Sequence, residues 1–411
     1  MTVQGAYFDT ASLPQLNTHT REFLDDPNSL LGAGPDRVTF ARGVQGVEVF
    51  PYDWVRGLFR DRRIVPRDPA YFERLGVPKD SHIMSYLVEG NVNLTWPENH
   101  DRLRPILVKG FTPRRIEAAR PMIREIANDL IDKMLARGSA DFVRDFSHHL
   151  SIGVISRFLG VDPEDIPLFE NATVDQRLLG QIPLEPVLPQ LNKSLGTVAD
   201  YSARLVARRR AKRANDFISD LIEAQEGGDK LTEAQLVWSI AGMLLAGHDT
   251  TRYQIGSAVR CLVESGQWDA LVTRPDLIPS AVNESMRIYP AVPRQVKLLD
   301  DDMEIGGERF RKADIVVLNL AAAGRDPAAF PDPGKFDLHR AEASWYDIGF
   351  GYGAHYCIGI ALAKAEMCES LALLTQRLRN VRFAGEIEVK PVGVICGPDS
   401  MPITFEARPT N

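Results

Sequence analysis

Residues 350–359 read FGYGAHYCIG and run straight into IALAKAEMCESLALLTQRL at 360–378. One cysteine, Cys357, stands among Gly351, Gly353, Ala354 and Gly359, so almost no side-chain bulk surrounds it. Glycine permits tight and left-handed backbone and lets another backbone or a flat ligand come close. Ile358, Leu362, Ala365, Leu371 and Leu374 recur at helical spacing, which places Cys357 at the start of a long helix. A helix start carries partial positive charge and unpaired N–H groups. Both favour a thiolate over a thiol. A thiolate in a slot walled by glycine suits a metal ligand beneath a flat macrocycle. The plain alternative is a small buried hydrophobe, and this stretch alone leaves both open.

The rest of the composition narrows the class. The 411 residues are 44% hydrophobic and 25% charged, ordinary for a globular protein. A net charge of −7 argues against a dedicated nucleic-acid binder. Cys261, Cys357, Cys368 and Cys396 form no CxxC and no paired framework, as expected of reduced thiols in the cytoplasm. The N-terminus has no basic start followed by an apolar run. No run of about 18 apolar residues offers a membrane span. A cytoplasmic monomer without a membrane anchor is expected.

Along the chain, residues 1–35 read as an extended lead-in. Val38–Phe40 and Val47–Phe50 read as a hairpin, and a helix follows over 52–60. Residues 64–95 show no sustained period and read as a long functional loop. Helices are predicted near 97–110, 114–136, 140–159, 165–178, 190–213 and 217–226. Thr232 and Gln235 form a capping box that opens a helix of about thirty residues to Glu264. A further helix covers 277–288, and short strands dominate 302–318 and 380–408. Residues 1–411 are expected to form one mainly α domain with small β-sheets.

Within the long helix lies Ala246-Gly247-His248-Asp249-Thr250-Thr251. A mid-helix glycine costs about 1 kcal/mol relative to alanine. Thr250 can bond the carbonyl four residues back and bend the helix. The two together open a local widening; a packing glycine beside a satisfied threonine is the plain alternative. Gly242, Leu245 and Ala246 lie one or two turns earlier and should line a pocket. His248 reads as a partly exposed helix residue. Glu284 and Arg287 stand at i, i+3, a spacing that on a solvated face gives an ion pair worth a few tenths of a kcal/mol. His100 and Arg104, after Trp96-Pro97, are four apart and share a helix face. Arg208-Arg209-Arg210-Ala211-Lys212-Arg213 reads as a solvated helix end.

In this order the motifs resemble those of the cytochrome P-450 family. Its haem-binding loop, Phe-x-x-Gly-x-(Arg/His)-x-Cys-x-Gly, is matched by Phe350, Gly353, His355, Cys357 and Gly359. Its oxygen-binding motif, (Ala/Gly)-Gly-x-(Asp/Glu)-Thr, is matched by Ala246 to Thr250, and its Glu-x-x-Arg by Glu284 and Arg287. The resemblance runs from about residue 36 to 405 and implies the P-450 fold. Haem b is then expected between the long central helix and the helix after the cysteine loop, with Cys357 ligating its iron. The resemblance also implies that Asp249 relays protons, that Thr250 hydrogen-bonds bound dioxygen, and that Arg340 joins Glu284 and Arg287 in a structural trio. His100, Arg104, His355 and Lys297 are expected at the haem carboxylates, with Arg294 as a substitute for Lys297.

The activity so implied inserts one atom of dioxygen into a compact hydrophobic substrate, an aromatic, terpenoid or steroid. Electrons would come from NAD(P)H through a ferredoxin reductase and an iron–sulfur ferredoxin. That ferredoxin is expected on the cysteine side, at Arg102, Lys109, Arg114, Arg115 and Lys364, steered by charge. Substrate contacts are expected from Gly242, Leu245, Val292, Met84 and Leu87, with 180–188 as part of a lid. The other class is a haem-binding sensor or carrier without turnover, which would have no use for the Asp249–Thr250 pair.

Overall fold

The axis of the molecule is the 32-residue helix Glu233–Glu264, and its start is chemically specified. The Thr232 hydroxyl accepts from the Gln235 N–H at 3.1 Å, and the Gln235 side chain accepts from the Thr232 N–H at 3.1 Å. The computed structural model describes residues 7–90, 97–228, 231–340, 346–389 and 395–409. The central helix is buried over most of its length, and helices His148–Leu159, Leu188–Ala211 and Ile278–Ile288 pack against it. Behind it, Pro113–Leu135 packs on Ile360–Arg377, the helix that follows the cysteine loop. A helix hydrophobic nearly all round needs neighbours on every side, and these supply them.

Beside the helices lies a five-stranded sheet: β1 (Phe40–Arg42), β2 (Val47–Val49), β3 (Ile64–Val65), β4 (Arg294–Leu299) and β5 (Ile315–Asn319). Its spatial order is β1-β2-β5-β4-β3. The β1–β2 hairpin pairs Phe40 with Val49, and β4 pairs antiparallel with β5, Lys297 opposite Val316. Strand Pro402–Ala407 lies between Ser139–Asp141 and Leu378–Phe383 in a second small sheet. One apolar cluster runs through the described residues from Phe40 to Phe405.

Several sequence expectations need correction. The stretch 64–90 is not structureless: it holds β3, helices Pro69–Arg74 and His82–Ser85, and the wide turn Tyr86–Gly90. Short capped turns carry too few periods to register in a sequence. The predicted helix over 140–159 begins as strand Ser139–Asp141 and a wide turn, and becomes α-helical only at His148. The one over 165–178 is broken into tight turns around Glu170–Val174. Strand β4 went unforeseen, because its residues are buried almost continuously rather than in alternation.

Candidate active site

A cleft with about 820 Å³ of empty space, its mouth included, lies between the central helix and the cysteine loop. Gly242, Ala246, Gly247 and Thr250 form one wall, and Cys357, Ile358, Gly359 and Leu362 face them. Residues 242, 246 and 250 are successive helical turns, so one face of the helix supplies them. Ala246 is exposed in the middle of an otherwise buried helix because that face opens on the cleft.

The loop is shaped by its glycines. Gly351 and Gly353 adopt φ of 73° and 72°, which disfavours any side chain, and a Cβ on Gly353 would sit 3.0 Å from the Phe59 carbonyl. The Cys357 N–H donates to the Phe350 carbonyl at 3.0 Å, fixing the backbone that presents the sulfur. Burial raises the thiol pKa, opposed by the Gly359 backbone and Arg104. Burial thus outweighs the favourable helix start at this thiol. A cation against the sulfur is what makes a thiolate stable there.

Thr250 donates to the Ala246 carbonyl at 2.9 Å, the back-bond expected of it, and its lone pairs remain for the cleft. Asp249 is fully buried. Its Oδ1 lies 3.0 Å from Arg252 Nη2, yet neither carboxylate oxygen has an aligned hydrogen bond. The charges still attract at that distance, since attraction does not need a linear hydrogen. Burial pushes the carboxyl up to about 6, against the pull of Arg252 and Arg177. Tyr253 donates to Asp399 at 2.6 Å, and Arg177 lies 3.5 Å from the same carboxylate. His248, expected to be partly exposed, is instead entirely buried. Its Nδ1 is 2.8 Å from Thr173 Oγ1 and its Nε2 is 3.1 Å from His148 Nδ1.

Two glycines of the helix serve protein packing. A Cβ on Gly242 would sit 2.4 Å from the Gly90 carbonyl, and one on Gly247 would sit 2.6 Å from Ile155 Cγ1. Leu245, Met84 and Leu87 are buried in the apolar core rather than lining this cleft, and Val292 is half-buried outside it. Its apolar lining comes from Leu107, Phe111, Ile155, Met243 and Leu362.

Arg104 and His100 reach the loop from the helix Pro97–Val108. Arg104 donates to the Tyr356 carbonyl, while its Nη1 is buried without a partner. His100 Nε2 is 3.0 Å from the Ala354 carbonyl, and its ring is 4.2 Å from that of His355. Lys297 is buried, and burial beside Arg67 pushes its pKa down to about 8. Arg67 is itself buried with an unpartnered Nε. Lys297 and Arg294 are three apart on β4 and so lie on opposite faces. Arg294 donates to Thr18, on the side of the buried carboxylate Glu48. Trp96 lies outside the described residues. Arg67 gave no signal in the sequence, nor did Glu366, which lines the cleft with an unpartnered Oε1 and is pushed up to about 8 by burial. Arg104, with a buried unpartnered Nη1 beside a cysteine in a glycine-walled slot, fits a flat macrocycle with acidic side arms.

The Glu284–Arg287 pair is buried, not solvated. Arg287 Nε and Nη2 grip the two Glu284 oxygens at 2.8 and 2.7 Å. Arg340 Nε donates to Glu284 Oε1 at 2.8 Å, and Arg287 also donates to the carbonyls of Gly324, Pro333 and Lys335. Of the five cations expected on the cysteine side, Lys109 and Arg114 are exposed. Arg102 does not point outward: it donates to Gln235 at 2.8 Å and Asn99 at 3.1 Å. Arg115 pairs with Asp220, and Lys364 is half-buried 5.7 Å from the Phe350 ring centre. Arg208, Arg209, Arg210 and Arg213 each meet a carboxylate. No helix among the described residues is long and apolar enough to cross a membrane.

Comparison with known proteins agrees with this geometry. A family model described as Cytochrome P450 matches residues 267–384. Luteothin monooxygenase of Streptomyces thioluteus is 31% identical over 401 residues, 97% of each chain. Cytochrome P450 107B1 of Saccharopolyspora erythraea is 34% identical over 295 residues, 71% of this chain and 70% of its own. The crystal structure of P450BioI with an acyl carrier protein bearing hexadec-9Z-enoic acid aligns at TM-score 0.84 and 27% identity, over 94% of this chain and 100% of that one.

Proposed function

This chain belongs to the cytochrome P450 family of monooxygenases, and on that premise we propose that it oxygenates a compact hydrophobic substrate with electrons from NAD(P)H by way of a reductase and a ferredoxin. The observation that carries the reading is the cleft itself, where Cys357 stands opposite Thr250 across a wall of Gly242, Ala246 and Gly247. Cys357 would hold haem b through its thiolate, and the haem would supply the activation of dioxygen. Arg104, Lys297, His100 and His355 would hold its carboxylates, and the unpartnered Arg104 Nη1 supports that assignment. Arg67 joins them on the same ground, while Arg294, committed to Thr18, serves the fold.

The remaining residues manage protons and water. Thr250 presents a hydroxyl oxygen to the cleft while its own proton rests on the Ala246 carbonyl. Asp249, one residue away and buried, has a carboxyl near pKa 6. A group about one unit from neutrality takes up and releases a proton at a cost of only ~1.4 kcal/mol. Leu107, Phe111, Ile155, Met243 and Leu362 keep the cleft apolar, which excludes bulk water and selects an apolar substrate. An aromatic, terpenoid or steroid skeleton fits that lining. The contiguous apolar cluster supports treating the chain as one domain.

The test is spectroscopic. Reduced protein with carbon monoxide should give the red-shifted band of a thiolate-ligated haem, and Cys357→Ala should lose it. A Cys357→Ala spectrum matching wild type would sink the assignment.

A further inference from the structure

Away from the cleft, His148 Nε2 lies 2.8 Å from Glu170 Oε1, and His149 Nδ1 lies 3.7 Å from the same oxygen. The ligand atoms of these three residues all fall within 4.8 Å of one another. His148 and His149 open one helix, His148–Leu159, and Glu170 opens another, Glu170–Val174.

The protons behind this trio can be counted. Thr173 donates its one hydroxyl proton to the Glu170 carbonyl at 2.7 Å, so toward His248 Nδ1, at 2.8 Å, it can only accept. His248 therefore carries its proton on Nδ1. With the ring proton on that nitrogen, its Nε2 faces His148 as an acceptor. His148 Nδ1, 3.1 Å away, must then be the donor. In a neutral His148 ring the other nitrogen, Nε2, is left as a lone pair aimed at a carboxylate oxygen, which is repulsive. Something positive must sit between them. A proton or a metal ion meets that need. The approach of His149 Nδ1 to within 3.7 Å of the same oxygen favours the metal ion.

We propose that His148, His149 and Glu170 bind one divalent transition-metal ion, with solvent completing the coordination. Two imidazoles and one carboxylate are a ligand set suited to zinc, which accepts three protein ligands and a water. The His148 Nδ1–H bond to His248 is the outer partner that fixes the tautomer of a metal-bound histidine. The ion would clamp Glu170, just ahead of the segment leading to the expected lid at 180–188, to the helix packed on the central one. Its outer partner, His248, adjoins Asp249 in the chain.

The experiment uses the haem-loaded protein, stripped with a chelator and dialysed against micromolar zinc chloride near neutral pH. Metal per chain is then compared with that of a His149→Ala/Glu170→Gln double variant. Wild type should hold one more zinc than the variant, and zinc should raise its Tm but not the variant's. The carbon monoxide spectra of the two should match, showing that both are folded. His248→Gln should weaken zinc binding about tenfold or more. Equal zinc in wild type and the double variant would overturn the site and leave His148 and Glu170 as an ordinary charged pair.

Discussion

Asp249 and Thr250 are neighbours in the chain but look in different directions. Thr250 borders the cleft, while Asp249 points into a buried set of Arg252, Arg177 and Asp399. Thr250→Ala removes the hydroxyl without disturbing the wall. It should keep haem and substrate binding and send reducing equivalents to hydrogen peroxide, measured as peroxide per NADH consumed; unchanged coupling would count against the role. Asp249→Asn should slow turnover by about a hundredfold or more, the usual worth of a positioned acid–base group. The raised carboxyl pKa also has a sign for stability. The folded state holds this proton more tightly than the unfolded chain, so the contribution is full below the unfolded value of 3.8 and is lost as pH rises through about 6. From about pH 5 to 7 the stability of Asp249→Asn should therefore gain on wild type by on the order of 1 kcal/mol. Thermal melts at the two pH values would show it. This pair and Cys357 stand out in the sequence because the chemistry proposed for them asks for fixed residue types at fixed spacing. Arg67 and Glu366 stayed hidden, because an arginine in a loop or a glutamate in a helix is usually solvated, and only burial marks these two out.

At the scale of elements, two contacts decide whether the cleft has its shape. Helix His148–Leu159 approaches the central helix so closely that Gly247 has no room for a methyl group against Ile155. Gly247→Ala should cost about 1–3 kcal/mol by overpacking, despite alanine's better helix propensity. Adding Ile155→Ala should recover part of the loss, whereas strictly additive melts would show that the two residues are not in conflict. The second contact is the trio that ties helix Ile278–Ile288 to the loop 324–340. Arg287→Lys cannot reproduce the two-pronged grip on Glu284 or the three carbonyl bonds. It should destabilise the protein by about 1–3 kcal/mol, the cost of leaving buried acceptors unsatisfied, readable as a fall in denaturation midpoint. The long helices were legible from period and caps, above all the Thr232–Gln235 box. The short helices of 64–90 and strand β4 were not, since their form is imposed by neighbours distant in sequence, as when Ile64 pairs with Leu299.

Taken whole, the molecule carries a net charge of −7, so the acidic electron donor proposed for it would meet an average repulsion and would need to be drawn by local cations. The structure thins the set first considered. Arg102 is drawn in toward Gln235, Arg115 is matched by Asp220, and Lys364 lies half-buried over Phe350. Lys109 and Arg114, at the junction of helices Pro97–Val108 and Pro113–Leu135, remain exposed. Steering by two exposed charges acts on encounter rather than on the docked complex, so reversal should lower the association rate more than it raises the dissociation rate. Lys109→Glu/Arg114→Glu should slow reduction by ferredoxin severalfold at low salt. The gap should close as ionic strength approaches about 1 M, where the screening length falls to about 3 Å. Stopped-flow reduction across a salt series measures both. A deficit that persisted at high salt would mean that these residues touch the donor in the complex, and no deficit at low salt would place the docking face elsewhere.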